Sequence, residues 1–370
     1  MSQPSEECPR RRRLLRGLGP RLFLIVAAVI LTPACSAPYL IHLGIGQGRI
    51  MLARQDYRDA LRDPALTSRE KSLILLVQEA KRFGEEQIGL TRTDNFDTYV
   101  KLDRPAVSWT VTAAPQTRLE SYQWWFPIVG RVPYKGFFSK DRALREARGL
   151  EAKGYETYVG GVAAYSTLGY FADPLFSTFL RYPEAEIPEI ILHELTHATV
   201  FFKGSVDFNE GLATFVGNKA GVAFLEQRFG RDAPVARAAR ARVADDEIFG
   251  AFLEVLSKRL EALYARGLPE AQTLARRQAI FDEEKHAFER LRHGFSTHDY
   301  DAFARAQWNN ALILAHRRYY GELAAFERIY ASQGQDLGKF VAFFREVQKR
   351  GEDPMKALRG AARTPTDGKR

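Results

Sequence analysis

The chain has 370 residues, 45% hydrophobic and 27% charged, which is enough to bury a sizeable core and ordinary for a globular protein. Its formal net charge of +9 is concentrated at the start, where six Arg (10–13, 16 and 21) face only Glu6 and Glu7. Beyond the first 35 residues 48 basic side chains meet 43 acidic ones, and no basic run is interleaved with aromatics, so a nucleic-acid partner is not expected.

The N-terminus has the pattern of an export signal. Arg10 to Arg16 form a basic region, and Leu22 to Leu31 an apolar run of ten residues. That run is short of the roughly 20 residues that span a bilayer. Thr32-Pro33-Ala34-Cys35 resembles a lipobox, with Thr32 where Leu is usual. The reading is a lipid-anchored protein whose mature chain begins at Cys35 and faces the periplasm. An ordinary cleaved signal and an uncleaved anchor are the alternatives. Ser36 lacks the Asp that marks inner-membrane retention, which favours the outer membrane. Arg11 to Arg16 match a twin-arginine signal only weakly, so the export route stays open. The only cysteines are Cys8 and Cys35, so the mature protein has no thiol to pair and none to ligate a metal.

Four regions follow: a signal over 1–35, an N-terminal helical hairpin with a small α/β part over 36–186, a helical region over 187–361, and a disordered tail over 362–370. Residues 36–62 and 67–90 are expected as helices, the second opened by the capping box Thr67-Ser68-Arg69-Glu70. Residues 106–113 and 157–165 have strand composition, with a helix from about 140 to 153 between them. The fold class is α+β, predominantly helical. Gly160-Gly161 in the second strand would let a peptide approach the strand edge, or else mark a bulge.

The apolar residues Ile187, Ile190, Ile191, Leu192 and Leu195 recur with helical period, and Pro188 sits where a missing N–H costs little. On that helix His193 and His197, at i and i+4, project from one face and can occupy two corners of a zinc tetrahedron. Glu194 beside them can take a proton from water, the general base's task. Lys203-Gly204-Ser205 stops the helix, and a second begins near Asp207. A short turn returns it antiparallel, so Glu210 can supply a third ligand. Gly211 and Ala213 permit close approach, and Asn209 can orient the loop. The plain alternative is a core helix whose histidines are merely hydrogen-bonded.

These residues carry a resemblance. His193-Glu194-Leu195-Thr196-His197 followed by Asn209-Glu210-Gly211-Leu212-Ala213 is similar to the gluzincin arrangement of two His and a Glu on the next helix. The wider pattern resembles a bacterial family of predicted zinc-dependent aminopeptidases of the cell envelope. It is carried by Trp124-Trp125-Phe126-Pro127-Ile128-Val129-Gly130, by Val132-Pro133-Tyr134-Lys135-Gly136-Phe137-Phe138, and by residues 164–175, from Ala164 through Tyr170 to Leu175. The resemblance implies a zincin-like helical domain, Zn2+ as cofactor and a peptide substrate. Asp94, Asp97, Glu156 and Asp173 are anchors to consider for a substrate amine.

Residues 232–293 hold charged helical stretches that read as solvated faces. Further on, Trp308-Asn309-Asn310-Ala311 and His316-Arg317-Arg318-Tyr319-Tyr320 resemble part of the same family's pattern. Tyr319 is the expected donor to a developing oxyanion, against the plainer reading of a packed tyrosine with a polar tip. The sequence reading is thus a metallopeptidase of the envelope. A non-catalytic lipoprotein scaffold and a zinc amidase acting on cell-wall fragments are the alternatives.

Overall fold

The computed structural model describes residues 37–126, 130–162 and 172–361. The signal, the lipobox at Cys35, residues 127–129 of the 124–130 segment, residues 164–171 of the 164–175 segment and the tail beyond 361 lie outside them. The architecture is predominantly helical, with small sheets of few strands. No helix among the described residues is long and apolar enough to cross a membrane.

The described residues open with helix α1 (Ala37–Leu52), a two-residue strand β1 (Gln55–Asp56) and a short helix α2 (Tyr57–Arg62). The expected single helix over 36–62 is therefore broken. Gln55 and Asp56 leave it to pair antiparallel with Tyr99 and Thr98 of β2 (Thr98–Val100). Asp56 then caps α2 by accepting from the Arg58 N–H. Helix α3 (Ser68–Phe83) starts at the expected capping box, with Thr67 and Glu70 bonded to each other's backbone. It passes into one π-helical turn over Gly84–Ile88, closed by Gly89 at φ 78°. A Cβ at Gly84 would lie 2.6 Å from Leu192 Cδ2, so that buried side chain would have to shift to admit one.

The central sheet has the order β6-β3-β7, built from β3 (Ser108–Pro115), β6 (Lys135–Phe137) and β7 (Tyr155–Val162), all antiparallel. Helix α4 (Lys140–Glu151) joins β6 to β7 and packs on the sheet through Ala143, Ala147 and Leu150. A hairpin of β4 (Trp124–Phe126) and β5 (Gly130–Val132) lies beside it, and β8 (Leu175–Phe176) pairs parallel with β2.

The remainder is helical: α5 (Ile187–Thr199), α6 (Val206–Phe229), α7 (Pro234–Tyr264), α8 (Glu270–Arg292), α9 (Asp301–Arg305), α10 (Asn310–Tyr320), α11 (Leu323–Ser332), α12 (Leu337–Lys349) and α13 (Pro354–Ala361). The largest apolar cluster surrounds α5 and α6. Ile191, Leu192 and Leu195 of α5 meet Ile74 and Val77 of α3, Leu212 and Val216 of α6, and Phe326 and Phe344 of α11 and α12. Each such side chain contributes about 1.5–3 kcal/mol when fully buried, so α5 is fixed on several sides at once. A second cluster around Phe249, Phe288 and Trp308 seats α10 against α7 and α8.

Candidate active site

Helices α5 and α6 approach closely, and glycines of α6 set the distance. A Cβ at Gly217 would lie 2.8 Å from the Glu189 carbonyl oxygen and 3.1 Å from His193 Cβ. One at Gly221 would lie 3.0 Å from the Glu189 nitrogen. The connection between the helices is held by Asn209, whose buried amide receives the Phe202 N–H at 2.9 Å and donates to the Phe202 carbonyl at 2.8 Å. This is the orienting role its position suggested, and it fixes the phase of the next residue, Glu210.

The three expected ligands come together. His193 Nε2 and His197 Nε2 are 3.1 Å apart, and each is 3.4 Å from Glu210 Oε2. For zinc bonds of about 2.0–2.1 Å, the edge of the coordination tetrahedron is about 3.3–3.4 Å. The three atoms therefore match one face of such a tetrahedron. They form a metal-compatible group among the described residues, and none of Asp94, Asp97, Glu156 or Asp173 belongs to it. Burial by itself raises the Glu210 carboxyl, but the charge of His197 and hydrogen bonding with both imidazoles outweigh it and hold Glu210 ionised. The same interaction raises His197 against the opposing effect of its own burial. An ionised carboxylate and two imidazoles are a donor set that suits zinc.

Glu194 is half-buried, and its Oε2 atom is shielded from solvent with no hydrogen-bond partner. A carboxylate oxygen in that condition is costly to keep unless something within the site engages it. Burial raises its pKa, the two histidines pull it down, and Glu210 adds to the rise. The His197 Nδ1 atom is likewise buried without a partner.

Helix α10 brings Tyr319 to the site. Asn309 caps it, accepting from the Leu312 N–H at 2.8 Å and donating to the Thr157 carbonyl at 3.1 Å. Asn310, fully buried, donates to the carbonyls of Pro115, Gln116 and Arg118 and accepts from the Tyr264 hydroxyl. The Asn pair thus pins α10 to the ends of β3 and β7. Ten residues on, the Tyr319 ring stacks on His193 with centroids 6.4 Å apart. Burial first, then the charges of Glu210 and Glu194, push its hydroxyl well above the usual range, so the phenol stays a proton donor. Tyr320 turns instead towards Phe249 and Tyr300. His316 lies among Tyr158, Phe249 and Phe303, and burial lowers its pKa to about 4.

Two residues not singled out from the sequence also belong here. The Tyr134 hydroxyl is raised by burial and by the nearby charges of Glu210 and Glu194. The Arg318 guanidinium lies 4.9 Å from the Tyr134 ring centroid and pairs with Asp207 at 2.9 Å. Both arrive from segments remote from the histidines, and both lie in stretches that carry the family resemblance without being marked there as site residues. The acidic anchors fare differently. Asp97 pairs with Lys81 at 2.6 Å, Glu156 with Arg277 at 2.8 Å and the Asn310 N–H at 2.8 Å, Asp173 is buried, and Asp94 is exposed.

Strand β7 is an edge of its sheet among the described residues, and its register with β3 runs unbroken through Gly160 and Gly161. No bulge interrupts it. The Thr157 carbonyl turns away from β3 towards Asn309, so the two-residue period puts the backbone polar groups of Val159 and Gly161 on the same free edge.

No curated protein and no solved structure matches the chain. The family model described as "Putative aminopeptidase" matches residues 38–358, which include the helix pair, the sheet and α10, and the chain belongs to that family.

Proposed function

We propose that the protein is a zinc-dependent peptidase, and specifically an aminopeptidase, held at the cell envelope by a lipidated Cys35. The observation that carries the peptidase reading is the triangle of His193, His197 and Glu210 with edges of 3.1, 3.4 and 3.4 Å, beside the unpartnered carboxylate of Glu194. Family membership supports peptide hydrolysis. A purely structural zinc site closes with four protein ligands and needs no adjacent base, which argues against a scaffold.

In this reading His193, His197 and Glu210 hold the metal. Zinc bound there supplies Lewis acidity to the carbonyl of the scissile bond and lowers the pKa of a water. Glu194 accepts a proton from the attacking water and passes it to the departing amine, so both carboxylate states are used within one turnover. The Tyr319 hydroxyl donates to the carbonyl oxygen as negative charge builds on it. The free edge of β7 at Val159 and Gly161 offers N–H and C=O groups to an extended peptide, with Gly161 leaving room for its backbone. No covalent intermediate with the protein is formed.

A metal analysis coupled to digestion of a peptide library tests this. The expected outcome is one zinc per chain and release of N-terminal residues, with N-acetylated peptides left intact. Cleavage of free and acetylated peptides alike at internal bonds would overturn the aminopeptidase assignment and leave the peptidase. Bound zinc with no peptide cleaved would favour a scaffold or an amidase of cell-wall fragments.

A further inference from the structure

Helix α1 is apolar on both its inner and its outer side. Its inner side is tied to the sheet region: the Tyr39 hydroxyl donates to the Gly136 carbonyl at 2.9 Å, His42 Nε2 accepts from the Phe138 N–H at 3.2 Å, and Ile50 is buried. At Gly46 on that side a Cβ would collide with the Phe138 ring. The outer side carries Ile41, Ile45 and Leu52, exposed to 51%, 53% and 90%. Gly44 and Gly48 lie in the same stripe, and a Cβ at either would meet nothing within 4 Å. These five positions fall within an arc of about 100° at 3.6 residues per turn. The helix has no acidic residue, and the one charge at the edge of the stripe is Arg49.

A helix face in water ordinarily carries charge. Here three of the eight large apolar side chains exposed among the described residues sit on one helix. The chain immediately before it explains the occupant. The apolar run Leu22 to Leu31 ends six residues before Ala37, and Cys35 lies two residues before it. At no more than about 3.6 Å per residue, α1 begins within roughly 20 Å of that run and about 7 Å of Cys35.

We propose that the outer face of α1 lies in the headgroup region of an anionic lipid bilayer, with Ile41, Ile45 and Leu52 directed into it and Arg49 at the phosphates. The inference rests on the membrane location proposed above, and it adds an orientation. A lipid chain or apolar anchor alone would leave the domain free to rotate on its tether. A second contact along a helix about 24 Å long holds the sheet region, and with it β7, at a fixed attitude to the surface.

The test uses the full chain reconstituted in vesicles of mixed zwitterionic and anionic phospholipid with brominated acyl chains, which quench tryptophan on contact. Ile45→Trp places a reporter in the face. Leu75→Trp, at a residue of α3 that is 47% exposed, is the control. Read as the emission each variant adds over the wild-type chain with its four native tryptophans, the Ile45→Trp reporter should lose about half or more, the control should lose little, and adding Ile41→Asp should reverse most of the quenching. Equal quenching at both positions, or none at Ile45→Trp, would overturn the proposal. That includes the case in which a second copy or the 22–31 segment covers the face instead. Vesicle-bound chain without quenching defeats the face and spares the anchor, whereas chain that does not bind vesicles defeats both. Hydrolysis of a soluble peptide, read in the same samples, keeps the peptidase reading separate.

Discussion

Gly217→Ala is the sharpest probe of how the fold sets the metal site. The new Cβ would lie 2.8 Å from the Glu189 carbonyl oxygen, 3.1 Å from His193 Cβ and 3.3 Å from the His193 nitrogen. Two of these are backbone atoms of a helix packed on several sides, so the strain cannot be relieved by a side-chain rotation. Restoring ordinary contact requires α6 to back away from α5 by about 0.6 Å. Glu210 lies two turns before Gly217 on the same helix, so part of that movement reaches the 3.4 Å separations from His193 and His197. Metal ligand distances tolerate about 0.2 Å, so zinc affinity should fall at least tenfold. Overpacking should cost about 1–3 kcal/mol, offset by up to about 1 kcal/mol from the better helix propensity of alanine. Gly149→Ala in α4, where a Cβ meets nothing within 4 Å, isolates the propensity gain and should be neutral or stabilising. The assay is competition against a chromophoric chelator, with thermal melts of the metal-free proteins alongside. Zinc affinity and melting temperature unchanged by Gly217→Ala would refute the idea that this contact fixes the site.

Glu210→Ala should lose stoichiometric zinc in elemental analysis, and retention would show a different third ligand. Asn209→Ala removes both bonds to Phe202 and leaves buried backbone groups unpaired, at a cost of about 1–3 kcal/mol, so the melting temperature should drop by several degrees with weaker zinc binding. An unchanged melt would show that the loop does not depend on it. His316 should make the fold acid-sensitive, because burial lowers its folded pKa from 6.5 to about 4. The unfolded chain then binds more protons between those values. Stability from this group is therefore complete above pH 6.5 and declines by up to about 3 kcal/mol as the pH falls to 4. His316→Phe should flatten that part of the pH profile of urea unfolding, and an unaltered slope would contradict the assignment.

Much of the site was legible because local rules governed it. An i, i+4 spacing puts His193 and His197 on one face whatever surrounds the helix, and a short turn after Gly204 brings Glu210 back. The Thr67-Glu70 capping box and the Asn209 loop contact are equally local. What escaped the reading depends on partners far along the chain. Gln55 and Asp56 left their helix to pair with Tyr99 and Thr98, a contact no window around residue 55 contains. Tyr134 and Arg318 reach the site from segments nearly two hundred residues apart. Glu156 looked like an anchor for a substrate amine until its carboxylate proved bonded to Arg277 and the Asn310 N–H. Asn309 and Asn310 resembled the family's pattern, and only the sheet ends they grip explain it.

The central claim is that Glu194 is the general base of a zinc peptidase. Glu194→Gln keeps the shape and leaves His193, His197 and Glu210 in place, and peptide turnover by that variant at matched zinc content tests the claim most directly. With zinc retained at one per chain, kcat should fall by about 10²–10⁴-fold. Turnover equal to that of the wild-type chain would contradict the mechanism.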